Sequence, residues 1–142
     1  AAGGRMKVAR RRSSAWALPG MVYALWLLAG TAIFLAPGHF HALTPGVALF
    51  GPFNAHFIRD VGLVYVASGL VGLYGVRSGN VLVGVAAALW SCLHAVFHLH
   101  VWVDRGWPLD GIFLFDLCFV IVPPFLVVLV LLTKRREPET LP

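Results

Sequence analysis

Charge is what this chain has least of. Of its 142 residues only 12% are charged, about half the roughly 25% share of soluble domains. The six acidic residues are Asp60, Asp104, Asp110, Asp116, Glu137 and Glu139, and they offer no acidic pair in a soluble cleft of the kind that paired-carboxylate hydrolysis uses. Cysteine is nearly absent too. Cys92 and Cys118 stand far apart in apolar surroundings, which excludes a C-x-x-C redox motif and a cysteine-ligated zinc site. There is no Gly-rich phosphate loop, because Gly69, Gly72 and Gly75 recur at helical spacing inside an apolar run. No Ser, His and Asp follow one another around a nucleophile elbow. The histidines are fewer than the membrane di-iron oxygenases use. The chain is therefore expected not to be an enzyme by itself.

Apolar residues fill the space that charge leaves. They make up 59% of the chain, with mean hydropathy +0.83. About 20 apolar residues cross the hydrocarbon core, and four stretches meet that length: 16–36, 54–76, 81–102 and 111–132. The expected fold is all-α, a polytopic membrane protein with a four-transmembrane-helix bundle. It divides into a basic N-terminal segment (1–15), the transmembrane domain (16–133) and a tail (134–142).

Lys and Arg set the orientation. Arg5, Lys7, Arg10, Arg11 and Arg12 precede the first span, Arg77 lies between the second and third, and Lys134, Arg135 and Arg136 follow the fourth. Positive residues stay on the cytoplasmic side, so both termini are expected to be cytoplasmic in a bacterial-type inner membrane. The sequence pI near 9.9 then reflects topology and anionic lipid headgroups, with no nucleic-acid partner. The first 14 residues are too polar for a signal peptide, and the first apolar stretch reads as a retained helix.

All six histidines fall toward the half of the spans opposite the basic segments. Ionisable groups gathered at one membrane depth point to a site. His56 and Asp60 are four residues apart and share one helix face. His94 and His98 have the same spacing one helix later, beside the small-residue stripe Gly84, Ala88, Ser91 and Ala95 that marks a packing face. Three imidazoles and a carboxylate suit a transition metal, copper or zinc ahead of iron, so His56, Asp60, His94 and His98 are the expected ligands. Arg59 and Asp116 are expected to orient those ligands and balance charge, and either Asp60 or Asp116 could pair with Arg59. His39, His41, His100 and Asp104 are peripheral candidates, able to capture incoming ions or anchor the interface.

Haem b ligated by histidines of two helices is a lesser alternative, as is quinone binding near Arg59, His94 and the aromatic residues. A third reading is a cofactor-free subunit of a larger membrane complex, with other membrane subunits or further copies as partners beside the lipid bilayer. Elsewhere, Pro19 opens the first helix, Asn54 caps the second, Trp102 and Trp107 are interfacial anchors, and Pro123-Pro124 should bend the fourth.

The run His56-Phe57-Ile58-Arg59-Asp60-Val61-Gly62, followed by His94-Ala95-Val96-Phe97-His98, resembles small bacterial four-helix membrane proteins of the DoxX-like group. The likeness covers the second and third helices. It implies a four-helix membrane fold and a link to quinone-coupled oxidoreductase systems, with no motif that carries that activity over.

Overall fold

The computed structural model describes residues 16–135, and the basic N-terminal segment and the end of the tail lie outside them. The order is α1 (Ala17–Leu35), α2 (Pro37–Leu43), a short 3-10 turn (Val47–Leu49), α3 (Ala55–Ser78), α4 (Val81–Asp104), α5 (Gly111–Asp116), a π turn (Leu117–Ile121) and α6 (Val122–Arg135). There is no strand among the described residues. Four helices are long and apolar enough to cross a membrane: α1, α3, α4 and the continuous fourth span Gly111–Thr133. The expected all-α bundle is thus present.

Local chemistry sets the boundaries. Asn54 Oδ1 accepts from Phe57 N–H at 3.1 Å and Asn80 Oδ1 from Val83 N–H at 3.2 Å, so each begins its helix with a capped first turn. Between α3 and α4 the chain reverses through Gly79, whose φ of +69° is the left-handed conformation that glycine adopts without strain. Asp110 caps α5 through Phe113 N–H at 2.9 Å. α1 ends at Leu35, and Ala36 leaves helical geometry ahead of Pro37. Pro37 then occupies the first turn of α2, where its missing N–H costs nothing, so the connection begins with a second short helix.

The fourth span carries an irregularity beyond the one its prolines suggest. The π turn lies just ahead of Pro123 and Pro124. Each proline lacks an N–H, and a wider i→i+5 turn re-spaces the backbone around the carbonyls they would have met.

The helices pack in sequence order, α1 on α3, α3 on α4, and α4 on the fourth span, while α1 meets α6 only sparsely. The α1–α3 contact is made by backbones. A Cβ on Gly30 would sit 2.5 Å from Gly62 O, so only glycine allows this approach. Gly72 lies under the Tyr23 ring, and Tyr23, fully buried, donates its hydroxyl to Gly84 O at 2.6 Å. Around it Val22, Trp26, Ala87, Ala88, Val127 and Leu131 form the core. That core fills the half of the bundle near the Gly79 turn, called proximal below. The other half, distal, holds α2, the 105–110 connection and every histidine.

Candidate functional site in the distal half

Two separate polar groups occupy the distal half. The first is internal. His98 Nδ1 stands 2.9 Å from Asp116 Oδ2, joining α4 to the end of α5, and the two side chains are only 22% and 11% exposed. The His98 Nδ1 atom is buried, and its approach to Asp116 falls short of an aligned hydrogen bond. Placing an ionisable pair here is expensive unless the charges answer one another.

Rings extend this pair into the bundle. The His94 and His98 rings meet edge to face with centroids 4.6 Å apart, and His94 stacks on Trp90 at 4.7 Å. Trp90 meets Tyr65 of α3 at 5.2 Å, and Tyr65 meets Trp26 of α1 at 6.2 Å. Ser91, on the same stripe of α4 as His98, keeps a buried Oγ with no hydrogen-bond partner. Buried polar groups are nearly always paired, so an unpaired hydroxyl on the stripe that carries the His98–Asp116 pair marks a place where a polar ligand atom would be welcome.

The second group lies on the surface. His56 Nε2 is 3.4 Å from Asp60 Oδ2, with side chains 91% and 56% exposed, on the face of α3 turned away from the bundle. His100 and Asp104 form a similar pair at 3.2 Å on the last turn of α4.

The four expected ligands therefore separate into two pairs. His94 and His98 meet inside, whereas His56 and Asp60 meet each other outside. No group of three or more His, Cys, Asp or Glu among the described residues is close enough to hold a metal ion. The expected pairing of Arg59 is corrected as well. Its Nε donates to Phe34 O at 3.3 Å, at the carbonyl end of α1, while Asp60 faces His56 and Asp116 faces His98. A cation at a helix C-terminus meets unsatisfied carbonyls and the negative end of the dipole, which gives Arg59 a partner without either carboxylate.

The peripheral candidates have local roles. His41 Nε2 lies 3.2 Å from Gly51 O and its ring meets Phe53, and His39 is exposed. Trp102 is fixed by Nε1 donating to Pro108 O at 3.0 Å and by stacking on Phe113. Arg105 and Asp110 form a close ion pair across the distal connection. The Arg105 hydrogen bond, then Phe113 N–H, hold the Asp110 carboxyl below its ordinary value of 3.8. Cys92 and Cys118 are both free thiols.

Tyr65 and Trp90 were absent from the expected site. Trp90 was within reach of the i, i+4 rule, being one turn before His94. Tyr65 lies between Gly62 and Gly69, residues three before and four after it on the packing face, a signal that it points inward. Compared with protein-family models, with curated proteins and with solved structures, the chain shows no match.

Proposed function

We propose that this is an integral membrane protein of a bacterial-type inner membrane, both termini cytoplasmic, whose His98–Asp116 pair binds the polar head of a lipid-soluble quinone or quinol. It would serve as an accessory component of a membrane redox system. The observation that carries the reading is the 2.9 Å approach of Asp116 to His98 Nδ1 inside an apolar span. A carboxylate at Nδ1 favours the tautomer protonated there and leaves Nε2 as the basic nitrogen. Such an imidazole accepts a hydroxyl proton, and the carboxylate stabilises the cation that forms. The stacked Trp90 and His94 rings offer an apolar wall for a flat ring, and Ser91 Oγ offers a hydroxyl. Quinol oxidation releases two protons and two electrons: His98 takes one proton, the second leaves to water at the distal face, and the electrons pass to a redox centre of a partner subunit.

Binding of a short-chain quinone to the protein in lipid nanodiscs tests this. His98→Ala and Asp116→Asn should each weaken binding by about tenfold or more, the loss of about 1.4 kcal/mol, while His56→Ala leaves it unchanged. Equal affinity in all three variants would remove the reading.

One observation favours a second reading. Imidazoles that ligate metal commonly pass their other nitrogen to a carboxylate, as His98 does to Asp116. His94 and His98 would then hold copper or zinc between them, with Asp116 orienting. Metal analysis of His94→Ala and His98→Ala separates the two: loss of metal from both with quinone affinity intact selects the metal. The haem alternative pairs His56 with His94 or His98, and a His56 side chain 91% exposed on the outer face of α3 gives it no support.

A further inference from the structure

A para-quinone or its quinol carries two oxygens on opposite sides of the ring, and the His98–Asp116 pair can serve only one of them. Inside an apolar span the other oxygen needs a hydrogen-bond partner as well, since an unmet buried polar atom is costly. That partner has to face His98 from another helix, because Trp90, His94 and His98 are ring neighbours along one side of α4.

Tyr65 of α3 is placed to be that partner. The α3 and α4 backbones meet at Gly75 and Gly84 in antiparallel sense. Tyr65 is ten residues before Gly75 and His94 ten after Gly84, so the two stand level. His98 is one turn, about 6 Å, nearer the distal end. Helical side chains lean toward the N-terminus of their own helix. In α3 this leans Tyr65 toward the distal end, and in α4 it leans His98 toward the proximal one, so hydroxyl and imidazole converge. The Tyr65 ring is held edge-on between Trp26, at 67°, and Trp90, at 82°. Its hydroxyl is uncommitted: no hydrogen bond joins it to another described residue, and Asp116 is near enough to act on it through charge. Tyr23, by contrast, spends its hydroxyl on Gly84 O. The unpaired Ser91 Oγ lies two turns proximal to His98 on the same helix.

We propose that Tyr65 is the second anchor of the site, its hydroxyl bonding the ligand oxygen remote from His98. The inference rests on the quinone reading above and narrows it to rings that carry two opposed oxygens. A hydroxyl donates to a quinone carbonyl and accepts from a quinol hydroxyl, so Tyr65 holds either redox form without giving up its own proton. With His98 at one end and Tyr65 at the other, the ring is fixed in register along the Trp90 and His94 wall. A ring with one oxygen meets only the first of these anchors.

The test titrates the full chain in nanodiscs, without oxygen, with two ligands: a short-chain quinol, and a phenol that has the same ring substituents but lacks the second hydroxyl. Tyr65→Phe should weaken the quinol about tenfold and leave the phenol within about twofold. His98→Ala should weaken both. Equal loss of both ligands in Tyr65→Phe would show that the ring only packs, and loss of neither would show that its hydroxyl is unused; each overturns the proposal. So does a loss confined to the quinol in Ser91→Ala with Tyr65→Phe unaffected, which moves the role to that hydroxyl. The two readings fail separately. If His98→Ala keeps both affinities, the quinone reading falls and takes this one with it. If His98→Ala weakens both while Tyr65→Phe weakens neither, the quinone reading stands and the second anchor alone is lost.

Discussion

Asp110 does two jobs with one carboxylate. Oδ1 caps α5, and Oδ2 faces Arg105 across the distal connection. Its lowered pKa fixes the sign of a pH effect. A carboxyl held below its unfolded value adds stability above that value, and loses it as pH falls through the folded one. The distal connection should therefore loosen as pH drops below 3.8. Asp110→Asn, which keeps a cap acceptor, should flatten that dependence, as read by hydrogen exchange at Phe113 N–H; an unchanged acid profile would contradict it. At this scale the sequence was informative about spacing and silent about facing. It showed that His56 and Asp60 share one side of α3, but not that this side looks outward. In water, polarity separates outside from inside. In lipid both sides of a helix meet apolar neighbours, and only small residues distinguish them.

Among the elements, the π turn has the clearest consequence. Asp116 is the last residue before it, and α6, which packs Val127 and Leu131 into the core, follows it. One residue removed from a π turn restores ordinary α geometry and rotates everything before it by about 100° relative to α6. Phe119 is 64% exposed, so deleting it disturbs little packing directly. The deletion should leave the protein folded and carry Asp116 away from His98. Quinone affinity should then fall by about tenfold or more, as for Asp116→Asn. Full affinity in the deletion would show that the turn does not position the carboxylate. The double proline told the sequence reader that this helix is irregular. It could not tell that the irregularity adds a residue upstream and so sets the register of Asp116.

The whole molecule was the most readable scale. Run length and the absence of charge define four spans, and the caps at Asn54 and Asn80 agree with the start of two of them. The proposed placement in the membrane rests on the basic residues, and an impermeant maleimide tests it in intact cells. Leu49→Cys, exposed in the 3-10 turn between α2 and α3, should label from outside. Leu82→Cys, exposed just after the Gly79 turn, should label only after the membrane is broken. The reverse pattern would invert the topology. What composition left open was which helices touch, since that depends on glycines whose partners lie in another segment.

Backbone contact between α1 and α3 also decides where this molecule can yield. With Gly30 against Gly62 and Tyr23 seated on Gly72, the first two long helices approach too closely at these points for larger side chains to repack between them. The fourth span meets α1 sparsely and carries its own widened turn. The position of that turn therefore decides where the span carries its Asp116 carboxylate relative to His98.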